Sequence, residues 1–456
     1  MPMAGGDEGS ALLHPRLTDP GVDVARIARV LGDVPRVSYE AAHVYPLSAP
    51  AFVPAAGVER GAPPVEPLKL YVHVPFCNYA CSFCFYAKVV RADRSRQERY
   101  VAAVRRELEC VAPGTPLAQL YVGGGTPTAL PADLLDAVLA AIAARMPAAA
   151  AVSRTVEASP ESLGPGHVAV LLARGVERVS MGVESLDPTV LGTVGRHHTP
   201  AQAAVAVALL LGAGLVVNVD LMYGFPGQTE ESLVADLAAV TSWGVPSVSL
   251  YNLRLNEHTP LARAVDDLAR LDLARLIAWR TVIHDELEAR GYAQTRWHTF
   301  VARRGVDSSF GRAPCVDSSG PGRQLGIGPS AVSHLGGRVY RNEPRLDEYL
   351  RRIEEGASPV DGLFALDDDD RRTLLVARTL GDGQPLLRTQ WAAAFGRALD
   401  DDLGGVLREL ADAGLVADDG AAIFLTASGR LVYDLVTLAF YPRRIRQWLR
   451  DRQGAA

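Results

Sequence analysis

Three cysteines fall within the stretch FCNYACSFCF, residues 76–85, at the spacing Cys77-x3-Cys81-x2-Cys84. Thiolates are soft ligands that select zinc or an iron–sulfur cluster. A structural zinc site is closed by four protein ligands, and none of the candidates for a fourth fits. His73 lies on the alternating stretch LYVHV, whose side chains face a core rather than the loop that follows. Cys110 lies inside a helical pattern and Cys315 in a distant loop, and both read as packed thiols. Three ligands on one loop instead fit a [4Fe–4S] cluster with one iron left open, and an open coordination position is a place for chemistry.

The other reactive residues recur at one kind of position. LKLYVHV (68–74) and LAQLYVGGG (117–125) read as strands, the first running into the cysteines and the second into GGGTPT (123–128). Three consecutive glycines exceed what a tight turn needs and let backbone groups approach a ligand closely. SRTVEAS (153–159), VERVSMGVES (176–185) and LVVNVDLMYG (215–224) carry Glu157, Glu184 and Asp220 late in each strand, and VPSVSLYNLRL (245–255) makes a sixth. Helical periodicity fills the intervals, at 94–111, 131–146, 167–175, 199–214 and 229–244. Strands alternating with helices pair in parallel through right-handed crossovers. Six such units predict an α/β fold with a barrel or open barrel, its active site at the carboxyl ends of the strands.

Around this core we expect an irregular N-terminal extension over 1–66, a barrel domain over 67–345, a linker over 346–365 and a C-terminal domain over 366–456. The segment 292–345 reads as irregular. Three helices and a β-wing in the last part predict a winged-helix-like α+β domain, read as a lid rather than a DNA reader because acids flank it. With 46 basic and 52 acidic residues, the net charge of −6 offers no footprint for nucleic acid. No stretch reaches the ~20 apolar residues of a membrane helix, and the first 20 residues lack the pattern of a secretory signal. Five cysteines, three of them clustered, point to metal chemistry in the cytoplasm.

LYVHVPFC with CNYACSFC resembles the radical S-adenosylmethionine (radical SAM) superfamily. With GGGTPT, RVSMGVES, NVDLMYGFPGQT, LGIGPSAV and LTASGRLVYDLV in order, the chain resembles the oxygen-independent coproporphyrinogen III dehydrogenase family along nearly its whole length. The resemblance implies a partial (β/α)6 radical SAM barrel. Its cluster, on Cys77, Cys81 and Cys84, would chelate SAM and cleave it to a 5′-deoxyadenosyl radical. Tyr71, at a catalytic position, with Phe83, Gly124, Glu157, Arg254 and Val332 would contact the first SAM, Phe83 against its adenine. Gly125, Thr126, Glu184, Arg196 and Asp220 would hold a second SAM, Arg196 on the carboxylate and Asp220 on the ammonium. His197 and His198 are read as surface-facing.

Two departures shift the expected reaction. Tyr86 stands where the dehydrogenases commonly carry a further cysteine, and Glu184 where they carry glutamine; WHTF (297–300) also departs near the substrate. The leading expectation is therefore radical methyl or methylene transfer from the second SAM to an sp² carbon of a small, natural-product-like acceptor. Oxidative decarboxylation of coproporphyrinogen III comes next, then a haem chaperone on the same fold, then a DNA regulator. An external donor of the flavodoxin or ferredoxin type and a monomeric state complete the expectations.

Overall fold

Six parallel strands lie side by side in chain order at the centre of the molecule: β1 Leu68–Val74, β2 Leu117–Gly124, β3 Ala148–Ala158, β4 Arg178–Glu184, β5 Val216–Tyr223 and β6 Ser247–Asn252. The structure is a computed structural model and describes residues 22–31, 52–55, 57–61, 63, 66–255, 258–265, 273–296, 298–303 and 324–453. Both faces of the strands are covered, so their interiors are apolar: Leu68, Leu70, Val72 and Val74 of β1 and Val217, Val219 and Leu221 of β5 are buried. Crossover helices return the chain each time, with α2 Arg94–Glu107, α3 Ala132–Arg145, α4 Pro165–Ala173, α5 Pro188–Val194, α6 Pro200–Gly212 and α7 Glu230–Ser242 following an earlier α1 Val24–Leu31.

Local chemistry fixes where these helices begin. Asp93 caps α2 by accepting from the Arg96 amide at 2.8 Å. Thr199 and Gln202 close a capping box on α6, with Pro200 at its first position, where a missing N–H costs nothing. Starting the helix there leaves 195–199 as the short junction between α5 and α6 that carries Arg196.

The sheet runs beyond the six strands on both sides. Next to β6 lie β8 Thr299–Ala302 and then β7 Tyr292–Arg296, both antiparallel to their neighbours. On the other side β9 Gln324–Ile327 pairs in parallel with β1, followed by β10 Val332–Leu335, β11 Arg338–Asn342 and β12 Val360–Ala365. A two-residue strand, Val53–Pro54, pairs with β12 and closes that edge. The expected irregular stretch before 345 is thus largely sheet, where described. The expected linker 346–365 is likewise part of this layer. Helix α9 Leu346–Glu354 buries Leu346, Tyr349, Leu350 and Ile353, and β12 continues the sheet. Among the described residues of the expected extension, only α1 and Val53–Pro54 are regular.

After β12 come α10 Asp368–Ala377, α11 Arg388–Phe395 and α12 Leu399–Asp412, then an antiparallel hairpin of Val416–Asp418 and Ala422–Leu425. Three helices and a hairpin give the winged-helix-like arrangement. This part is joined to the barrel through a buried ion pair. Arg280, on the barrel helix α8 Leu273–Ala289, donates to Asp434 at 2.7 and 2.9 Å and to the Tyr223 hydroxyl of β5 at 2.9 Å. Among the described residues no helix is long and apolar enough to cross a membrane.

Candidate active site

The cysteine loop is pinched at its base and pinned at its middle. Phe76–Cys77 pairs with Val89–Val90, and the Val89 amide reaches the Pro75 carbonyl at 2.7 Å. Ser82 donates its amide to Val194 at the end of α5 and accepts from the Leu261 amide, each at 3.0 Å. Lys88 donates to the Cys84 carbonyl at 2.6 Å. Cys77, Cys81 and Cys84 are free thiols, partly exposed at the carboxyl ends of the strands. Cys110 sits in a separate 3₁₀ turn behind α2, and Cys315 lies outside the described residues.

The donor set fits a cluster. Burial pushes the Cys81 thiol up to about 11, and the neighbouring Arg196 pulls it back; Cys77 is also raised by burial and opposed by Thr126, Lys88 and Arg196. Cations and hydrogen-bond donors are what three clustered thiolates require. The hydroxyl of Thr126 donates to the Cys77 sulfur and Nη1 of Arg196 to the Cys81 sulfur, each at 3.8 Å. Among the described residues no three His, Cys, Asp or Glu side chains gather around one ion. A cluster does not need that, because each of its irons takes one cysteine.

The glycines that end β2 serve the protein's own groups. Gly124 has φ +112°, and a Cβ there would lie 2.6 Å from the His73 ring; at Gly125 it would lie 2.6 Å from the Phe76 carbonyl oxygen. A side chain at Gly123 would collide with the Glu157 carboxylate. This close packing against β1 and β3 demands glycine independently of any ligand. The Gly125 and Thr126 amides reach the Val74 and Phe76 carbonyls, both at 2.7 Å, and so fasten the end of β2 to the cysteine loop.

Three acids share the mouth of the barrel. Glu157 accepts from the Tyr121 hydroxyl at 2.6 Å and from the Gly124 amide at 3.0 Å. Burial, with help from Asp220 and Glu184, lifts it to about 7. Glu184 is raised to about 7 by burial, opposed by Arg196, and Asp220 to about 6 by burial, opposed by its hydrogen bonds. Asp220 accepts from Ser180 and from Asn218 at 2.7 Å each, and Asn218 in turn accepts from Ser247 at 2.7 Å and Ser249 at 3.1 Å. Glu184 has φ +67°, an unfavourable conformation for a side chain with a Cβ, and Arg196 lies 3.6 Å from its carboxylate. Three half-buried acids that repel one another leave a site suited to a cationic ligand.

The remaining expected residues are spread around this centre. Tyr71 bonds through its hydroxyl to His73 Nδ1 at 3.0 Å and stacks on Tyr121 with centroids 6.2 Å apart. Phe83 packs against Phe225 at 5.6 Å, in a small apolar cluster with Val190, Val194 and Leu253. Arg254 follows β6 beside Leu253. Val332 opens β10, and its backbone lies against Gly326, the β9 partner of Tyr71. His197 is exposed and stacks on Tyr79 at 4.3 Å. His198 corrects the expectation of a surface residue: it is buried beside Glu161, in the junction just before the N-cap of α6. Trp297 lies outside the described residues, whereas His298 is buried against Tyr251 at 3.9 Å. Sequence reasoning missed Tyr121 and Asn218; their signal was position, two residues before the glycines and before Asp220.

The radical SAM superfamily model matches residues 71–240. The chain is 31% identical over 410 residues to the heme chaperone HemW of Mycobacterium tuberculosis, covering 86% of this chain and 97% of that one. It is 30% identical over 402 residues to the oxygen-independent coproporphyrinogen III oxidase of Escherichia coli, covering 83% and 86%. The solved structure of the Escherichia coli coproporphyrinogen III oxidase, described as a radical SAM enzyme, superposes with a TM-score of 0.74 at 25% identity, over 83% of this chain and 91% of that one. Cysteine loop, parallel partial barrel and full-length likeness agree: the chain belongs to the radical SAM superfamily, within the coproporphyrinogen III oxidase-like family that holds both the oxidases and the heme chaperones.

Proposed function

We propose that this radical SAM enzyme acts on a tetrapyrrole-class substrate, oxidatively decarboxylating a coproporphyrinogen, the compound that its oxidase relatives are named for. What carries the reading is the likeness to those relatives along more than four-fifths of the chain, with the three-thiol loop at the strand ends. A [4Fe–4S] cluster on Cys77, Cys81 and Cys84 would supply the electron that cleaves SAM to a 5′-deoxyadenosyl radical. Glu157, oriented by Tyr121 and Gly124, would receive a hydroxyl or ammonium group of SAM. Phe83 and Phe225 would keep water from the site. A flavodoxin- or ferredoxin-type protein would deliver the electron, and free thiols suit a reducing, cytoplasmic setting.

Radical methyl or methylene transfer with a second SAM is a second reading. It is favoured by the mixed-charge set of Glu184, Arg196 and Asp220, which suits a second zwitterion, and by Tyr86 in place of a cysteine. The oxidase relative favours the first reading over the second, and the heme chaperone relative favours neither. One anaerobic incubation of the reconstituted protein with SAM, dithionite and coproporphyrinogen III separates them. Deoxyadenosine with decarboxylated porphyrinogen supports the first, and deoxyadenosine with S-adenosylhomocysteine the second. Stoichiometric haem binding with SAM left intact would overturn both in favour of a chaperone.

A further inference from the structure

Two side chains outside the cysteine loop end on its sulfurs, and they come from opposite sides. Thr126 follows the glycines of β2 and its hydroxyl donates to Cys77 at 3.8 Å; Arg196 follows β4 and its Nη1 donates to Cys81 at 3.8 Å. Neither residue is free to turn away. The Thr126 backbone is fixed by its amide bond to Phe76. Arg196, 8% exposed, donates Nη2 to the Gly182 carbonyl, lies beside Glu184, and has its Cζ 5.9 Å from the centre of the Tyr79 ring. Its Nε is buried with no hydrogen-bond partner among the described residues. One edge of the guanidinium is thus committed to a cysteine sulfur while another donor still lacks an acceptor.

Reduction of a cluster adds one negative charge to its iron–sulfur core and moves no proton. Donors on the cysteine sulfurs stabilise that extra charge and raise the potential. We propose that Thr126 and Arg196 are positioning residues that set the cluster's reduction potential through Cys77 and Cys81. The proposal rests on the reading that the three thiols hold a [4Fe–4S] cluster.

The test is an EPR-monitored potentiometric titration of the reconstituted full chain without SAM, with iron counted per chain. Thr126→Val and Arg196→Gln are each expected to retain four irons and to shift the reduction equilibrium about tenfold toward the oxidised form, ~59 mV more negative for one electron. Thr126→Ser should restore the wild-type potential, which a purely structural role would not require. Fully loaded variants with an unchanged potential would overturn the proposal. If Arg196→Gln fails to load, the Thr126 pair alone decides. A wild-type chain that assembles no EPR-active cluster would overturn the cluster reading itself, and the proposal with it.

Discussion

Tyr121 donates its phenol to the Glu157 carboxylate at 2.6 Å, from one barrel strand to the next. The same carboxylate takes the Gly124 amide at 3.0 Å, so its orientation is set before any ligand arrives. Tyr121→Phe removes one of those bonds and should weaken SAM binding to the cluster-loaded protein roughly fivefold to tenfold, about 1 kcal/mol. Glu157→Gln should cost more, because it removes the charge as well. Anaerobic calorimetry with SAM measures both, and equal affinities across all three proteins would contradict the role given to Glu157.

Glu157 and Glu184 sit at about 7 and Asp220 at about 6, above the usual carboxylate range near ~4. In this range the folded state binds more protons than the unfolded one. Stability from these groups is therefore complete below about pH 4 and is lost as pH rises through 6 to 7. Urea unfolding of the apo wild type against Glu184→Gln should show the wild type losing up to about 3 kcal/mol relative to the variant between pH 4 and 8. SAM affinity should rise across the same interval, as the acids ionise to meet a cation. A pH-independent difference would contradict the assignment.

Gly124→Ala combines a positive φ with a Cβ 2.6 Å from His73, whereas Gly227, at φ +77°, has open space around it. Gly227→Ala should cost about 1–2 kcal/mol from backbone strain alone. Gly124→Ala should cost at least ~2 kcal/mol more, since β1 cannot move away. Denaturant midpoints measured on the two variants separate collision from strain, and equal losses would show that His73 yields.

Arg280 and Asp434 are both buried and bonded at two points, joining the barrel helix to the C-terminal helices. Asp434→Asn leaves the guanidinium without its counter-charge and should cost about 3–5 kcal/mol. Pairing Arg280→Met with Asp434→Leu should recover a large part of that. A double-mutant cycle in urea reads the coupling, and additive losses would mean that the two residues stabilise the chain independently.

Six strands and the acids at their ends were legible because a buried parallel strand is a short apolar run ending at a turn, and each acid broke such a run. The cysteine loop was legible from spacing alone. The strands between 292 and 342 were not, because each is only four or five residues long, so no periodicity accumulates within them. Helix α9 and β12 looked like a linker because their buried faces need α2 and β11 as partners. His198 looked exposed in the polar run GRHHT, yet the junction before α6 places it beside Glu161, out of solvent. The three glycines suggested a ligand, yet their nearest neighbours are His73, Phe76 and Glu157, residues far apart in sequence.

The central claim is that Cys77, Cys81 and Cys84 hold a cluster able to break SAM. Its most direct measurement is 5′-deoxyadenosine released after anaerobic reconstitution and incubation with SAM and dithionite. Deoxyadenosine is expected from the wild type and none from Cys81→Ala. A wild-type protein carrying a reduced four-iron cluster that leaves SAM intact would contradict it.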